Sequence, residues 1–342
     1  PAGPGPGPGP GVIIGGPQGP QIIVPSDPTD PITIGDPTNP PIIVPPEGPI
    51  TVGNPDQPAN VHIGTGNDLW EMVYVGGDGN LTSNSLITVS SDDSDNEGRS
   101  VHLHASRYDL VVGGNLNYNV GTVNNGSVKY GGTLINAPNL GTPGATITQG
   151  GLPVNFSSTQ TQLQTNSNYW SSLATNGTIN DNGVGTITLT GSSSSLNIFN
   201  LTASQVQAFS YLTLNINVPA GSTVLINVSG SLTNMPQTTV VYNGTQITSG
   251  TIGTNYQTAP QSQIIWNLGS ATTAFTMNNV GFQGSILAPW ANVTSQSGEM
   301  NGQLIVNSVT PTTSGQNEIG RALVCTPVTL TYLVCRLLLE KK

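Results

Sequence analysis

The sequence predicts a mainly β fold: a β-helical, solenoid-like domain with one α-helix lying along it and an extended proline-rich arm in front. Three observations carry this. Half of residues 1–58 is proline or glycine. Beyond residue 58, glycine pairs recur behind short strand-like runs at a near-constant spacing. One segment, about 157–174, leaves β alternation for helical spacing. The chain therefore divides into an arm (1–58), a β-helical body (59–318) and a C-terminal strand segment (319–342). An antiparallel β-sandwich with regular turns is the alternative.

The arm holds 18 of the 27 prolines and 11 glycines, and its charges are five acids, Asp27, Asp30, Asp36, Glu47 and Asp56. Such a segment forms neither a helix nor a packed core of its own. It is not collagen, because the Gly-Pro run at 3–11 has period two, whereas a triple helix needs glycine at every third place. Five apolar triplets punctuate it: Val12-Ile13-Ile14, Ile22-Ile23-Val24, Ile32-Thr33-Ile34, Ile42-Ile43-Val44 and Ile50-Thr51-Val52. Adjacent residues of an extended chain point to opposite sides, so each triplet offers apolar groups to two faces. A solvated spacer has no use for that. The expectation is an arm that adds short strands to neighbouring copies, with proline marking where pairing stops. At about 3.1 Å per residue such an arm reaches on the order of 150 Å. A plain proline-rich spacer is the alternative.

In the body, Gly76-Gly77, Gly113-Gly114, Gly131-Gly132 and Gly150-Gly151 are separated by 37, 18 and 19 residues, the first gap close to two of the others, and Gly284 and Gly302 by 18. A repeat of 18–20 residues with a glycine corner predicts coils that stack in parallel. Phe156, Leu163, Trp170 and Leu173 share one helical face, with Ser157 or Ser158 as N-cap and Asn176-Gly177 as the stop. Leu201–Phe209 suggests a further helical turn. Strand-like runs follow at 212–218, 223–229, 238–243, 263–268, 275–277, 285–289 and 303–308.

In order and spacing, DNEGRSVHLHASRYDLVVGGNLNY, SVKYGG, the NFSSTQTQLQTNSNYW helix, NIFNLTASQV, LTLNINVPAGSTVLINVSG and NNVGFQGSILAPWANVTSQSGEMNGQLIVNS resemble the bacterial choice-of-anchor A domain over residues 60–310. The resemblance implies an extracellular, adhesin-like β-helical domain of cell-surface proteins, and no catalysis. The chain departs from that family at its C-terminal end, where no sorting signal or long apolar tail stands. In its place Val328, Leu330, Tyr332 and Val334 alternate with Thr329, Thr331 and Leu333, a strand pattern suited to assembly. Cys325 and Cys335 are disulfide candidates, within one chain or between two. The chain starts at Pro1 with no signal-like segment, which reads as a mature secreted chain, as would a cloned fragment. The run Leu323–Leu339 is too short and too polar for a good membrane span.

Charge excludes other roles. Seven Lys+Arg stand against seventeen Asp+Glu, 7% charged residues in all, where an ordinary domain carries roughly 25%. Seven cations cannot make the footprint that nucleic acid or an anionic membrane requires. Asp93, Asp95 and Glu97 cluster on a glycine turn as a calcium loop would, but His104 stands where the bidentate acid belongs. His102 and His104 share a strand face and lack a third imidazole or thiolate nearby. No G-x-S-x-G, P-loop or H-E-x-x-H is present. Asp78, Asp109, Arg99, Arg107 and Lys129 are the raw material for a polysaccharide-cleaving site. Thr186, Thr188 and Thr190 make one hydroxyl row, which is short of an ice-ordering array. The expectation is a secreted structural subunit without enzyme activity or cofactor, whose partners are copies of itself. A stalked adhesin binding a glycan or matrix protein is the alternative.

Overall fold

A computed structural model of the chain describes residues 12–14, 21–24, 33–35, 42–43, 51–52, 61–62, 68–69, 73–81, 87–89, 108–119, 121–124, 126–153, 155–248, 260–301, 304–311 and 317–319. The chain divides into two compact units, one of Pro1–Pro49 with Val324–Lys342 and one of Ile50–Leu323. In the first, β1 (Val12–Ile14), β2 (Gln21–Val24), β3 (Thr33–Gly35) and β4 (Ile42–Ile43) form an antiparallel meander, with Val12 opposite Val24, Ile22 opposite Ile34 and Ile34 opposite Ile42. Residues of each of the first four triplets thus lie in strands. Ile32, Val44, Ile50, Val328, Leu330, Tyr332, Val334, Cys325 and Cys335 lie outside the described residues.

The second unit is a β-helix with three short strands per coil, so each coil adds one strand to each of three parallel faces. It begins with β5 (Thr51–Val52), β6 (Val61–His62) and β7 (Asp68–Leu69). The next coils are β8 (Val73–Val75), β9 (Gly79–Leu81) and β10 (Ile87–Val89); β11 (Tyr108–Val112), β12 (Leu116–Tyr118) and β13 (Gly121–Val123); and β14 (Ser127–Tyr130), β15 (Leu134–Asn136) and β16 (Asn139–Leu140), followed by β17 (Ile147–Gln149). Tyr74 pairs Val111, Val111 pairs Lys129 and Lys129 pairs Thr148, all in parallel. Because β8 lies directly against β11, the 37-residue gap is one coil, not two. Parallel register between sequential coils rules out the sandwich.

After β17 the chain crosses back through α1 (Phe156–Ser171). The helix starts one residue earlier and ends three residues sooner than the sequence predicts. Asn155 is its N-cap, accepting from the Ser158 amide, in place of Ser157 or Ser158. The second set of coils comprises β18 (Thr178–Asp181), β19 (Thr186–Thr190), β20 (Leu196–Thr202), the short α2 (Ala203–Gln207), β21 (Tyr211–Asn217), β22 (Thr223–Ser229), β23 (Asn234–Met235), β24 (Gln237–Tyr242), β25 (Thr245–Ile247), β26 (Ile264–Leu268), β27 (Ala274–Gln283), β28 (Ser285–Asn301), β29 (Leu304–Pro311) and β30 (Asn317–Ile319). These coils are longer than the predicted repeat: Val224 pairs Ile264, 40 positions on.

The two sets join. Val306 of β29 pairs Val52 of β5, and Thr51 pairs Tyr74 of β8. One face therefore reads β20-β22-β26-β28-β29-β5-β8-β11-β14-β17, continuous in space though broken in sequence. The fifth apolar triplet supplies the joint. Along this face α1 packs on β22, β26, β28 and β5. Strands β22 and β26 are consequently buried on both sides, which is why TVLINV and IIWNL are apolar almost throughout. Inward, Trp266 and Phe282 pack with ring centroids 5.6 Å apart. Outward, the registered column runs Asn200, Asn227, Asn267, Leu287, Ile305. Asn200 Nδ2 donates to the Leu173 carbonyl and Asn227 Nδ2 to that of Trp170. Asn267, wholly buried, donates to Ser167 O, Ser171 Oγ and Asn227 Oδ1 and accepts from Ser167 Oγ. At the other end of the helix Phe156 packs on Val111, and Gln160 donates to the Pro289 carbonyl.

The glycine pairs are needed because backbones touch at the coil corner. A Cβ on Gly131 would collide with the carbonyl oxygen of Gly113, and one on Gly113 with that of Gly76. The residue after each pair continues the stack: Asn115 N donates to Asp78 Oδ1 at 2.6 Å, and Thr133 N to Asn115 Oδ1 at 2.7 Å.

Two outcomes follow. Gly131→Ala should destabilise the domain by about 1–3 kcal/mol, while Gly281→Ala, where a Cβ meets nothing within 4 Å, should stay within about 0.5 kcal/mol; urea titration compares them. Asn267→Ala orphans several buried partners and should cost about 3 kcal/mol, with exchange protection lost across α1.

Candidate functional site

The described surface with the most organised chemistry is the outward side of the five-stranded sheet β18-β19-β21-β24-β25. Its inward side supplies Ile187, Leu189, Leu212, Leu214, Ile216 and Val240 to the core. Alternation then leaves the other parity outside. Because β19, β21 and β24 pair in parallel without a register shift, their outward residues fall into ranks: Thr186, Thr213 and Thr239; Thr188, Asn215 and Val241; Thr190 and Asn217. Thr178 and Asn180 extend the ranks through β18, opposite Thr190 and Thr188, and Gln246 does so through β25 opposite Val241. Neighbours stand roughly 4.8 Å apart across strands and about 6.7 Å along them.

Asn215 Nδ2 donates to Thr188 Oγ1 at 3.3 Å. The hydroxyls of Thr186, Thr190, Thr213 and Thr239 have no hydrogen-bond partner among the described residues, so water or a ligand satisfies them. Of the residues in these five strands only Asp181 is charged, and it is engaged, accepting from Gly183 N and Gln205 Nε2. At one end of the face stands Tyr211, 70% exposed and opposite Gln237, with Val184 (74%) and Phe209 (38%) on the adjoining loops. The Thr186/Thr188/Thr190 row is thus one of several. The alternation in LTLNINV and TTVVYN carried the same signal, but which rows become neighbours is a matter of register between coils.

The other sequence candidates separate. Asp78 is bound to the Asn115 amide in the corner stack. Asp109 is wholly buried. Lys129 Nζ donates to the carbonyls of Gly150 and Gly151 at 3.1 and 2.8 Å and lies 5.0 Å from the Tyr108 ring centre, clamping the last coil. Arg99, Arg107, Asp93, Asp95, Glu97, His102 and His104 lie outside the described residues. Among the described residues no group of three or more His, Cys, Asp or Glu is placed to hold a metal. No helix among them is long and apolar enough to cross a membrane.

The domain is a three-faced β-helix with a lateral helix and one polar sheet face. The chain belongs to the family described as "Putative Ice-binding-like adhesive domain", whose profile matches residues 59–319. Among solved structures it is similar to an ice binding protein from an Antarctic biological consortium, at 13% identity, covering 83% of this chain and 94% of that one with a TM-score of 0.29. No curated protein matches.

Lys129→Ala removes two charge-assisted hydrogen bonds and should cost about 2 kcal/mol. Amide exchange should accelerate at Ile147–Gln149 while the β20–β26 region stays protected.

Proposed function

We propose that the protein is an extracellular structural subunit, akin to the choice-of-anchor A surface proteins, that assembles into a fibre, with an arm strand of one copy pairing on the end coil of the next. The observation that carries this is the asymmetry of the solenoid ends. At the β19–β20 end, β18 pairs antiparallel on β19, and Asn176 bonds to the backbone of Ile198 and Leu196 along β20. At the other end β15, β16 and β17 each pair on one side only among the described residues, and Ile135 is 57% exposed. An open strand edge is a template for another strand.

The triplets containing Val12, Ile22, Ile34 and Ile42 already adopt β structure, and the alternating segment around Val328–Val334 is a second donor. Beyond residue 58 seven Lys+Arg stand against twelve Asp+Glu, a net charge of −5, so little repulsion keeps the bodies of two copies apart. The role requires no catalysis, cofactor or metal, and its setting is the cell surface. A second reading is a stalked adhesin for a glycan or matrix protein, of which the exposed polar face of β18–β25 favours the glycan; the two roles are compatible.

The decisive deletion is residues 1–49, because removing 50–58 would also take β5 out of the solenoid. Full-length protein should form fibres in negative-stain micrographs and scatter more light with concentration. The deletion should stay monomeric with an unchanged β-type circular dichroism spectrum. Fibres formed without residues 1–49, or a full-length chain that stays monomeric throughout, would refute the arm mechanism.

A further inference from the structure

The outward face of β18-β19-β21-β24-β25 has features that an assembly role leaves unused. Tyr211 is 70% exposed on a regular strand, where a core-forming sheet has no need of an aromatic ring, and Val184 and Phe209 beside it are also exposed. Exposed apolar groups gathered at one place mark a contact surface more often than chance exposure does. Tyr211 lies opposite Gln237 and two residues before Thr213, whose neighbours across the sheet are Thr186 and Thr239. An amphipathic ring therefore stands next to an amide and three hydroxyls, on outward ranks that carry no charge; Asp181, the one charge in these strands, lies opposite the inward-facing Ile187 and is already bonded.

We infer that this face binds a neutral polysaccharide, with Tyr211 stacking on a pyranose ring and the Thr186/Thr213/Thr239 rank and Gln237 bonding to its hydroxyls. The inference rests on the adhesive reading of the domain and is independent of fibre formation. The occupant follows from complementarity. A sugar ring offers an apolar C–H face to an aromatic side chain and hydroxyls to neutral donors and acceptors. A uronate, sulfate or sialate would need a cation, and the five strands carry none. A protein partner would bring charged side chains to a face that cannot pair with them. The parallel register keeps the ranks aligned and repeating, which suits an extended chain rather than a compact ligand in a pocket.

The test uses the full chain, retained on insoluble cellulose, chitin and cross-linked dextran, with alginate and heparin beads as anionic probes and ice and a collagen-coated surface as further probes. Wild type should be retained on at least one neutral polysaccharide, and 0.5 M salt, a roughly 4–5 Å screening length, should not release it. Tyr211→Ala should weaken that retention by about tenfold, equivalent to about 1.4 kcal/mol, whereas Tyr211→Phe, which keeps the ring, should lose much less. Because Tyr211 lies outside the core, both variants should keep the wild-type melting midpoint. Fibre formation by Tyr211→Ala should also be unchanged, so failure at this face and failure of assembly are read separately. Equal retention of Tyr211→Ala and wild type, salt-sensitive binding to anionic beads only, retention on ice or collagen alone, or no retention on any neutral polysaccharide would each overturn the assignment.

Discussion

The docking of α1 on the asparagine column is the interaction on which the path of the chain depends. The first set of coils ends at β17, and the second set starts at the opposite end of the solenoid, so the chain must return along the outside. A helix does this with its own backbone satisfied, leaving side chains to make the bond to the sheet. Asn200, Asn227 and Asn267 stand one above another because their strands pair in register, and they meet Ser167, Trp170, Ser171 and Leu173 at the helix end. Each amide both donates and accepts, so a column of them satisfies its own members and the helix together. Where the column turns to Leu287 and Ile305, it is buried as apolar surface instead.

The same return places β29 against β5. Solenoid coils gain stability from their neighbours, and each exposed end is a liability. Inserting the first strand of the unit between the last and the next buries two ends at one joint. The glycine corners then set how closely coils approach, because the carbonyl of one coil occupies the space a Cβ of the next would need. The end coil is clamped on its inner side by Lys129 and has no described strand on its outer side.

Scarcity of charge acquires a structural meaning in the sheet of β18–β25. Its outward ranks of Thr, Asn and Gln stay hydrated without ion pairs, so partners can displace water there without desolvating charges, a far larger cost. The adhesive contact proposed for this domain accordingly uses a repeating face rather than a pocket of converging acids and bases.

Much of this was legible in the residues themselves. Composition set residues 1–58 apart, yet the fifth triplet of that stretch lies in the solenoid as β5. The 18- and 19-residue glycine spacings matched the registers Val111 to Lys129 and Lys129 to Thr148, because a coil corner imposes a local steric demand. Helical spacing located α1 to within three residues, and the apolar runs at β22 and β26 marked strands; that both of their sides are covered became visible only with α1 in place. What only tertiary structure decided is non-local. The 37-residue gap is a single coil, β5 lies in the middle of the stack, and the threonine row at 186–190 has threonine and asparagine rows beside it. Parallel pairing joins residues across most of the chain and depends on which coil lies next to which, and side-chain alternation within one strand carries no information about that order.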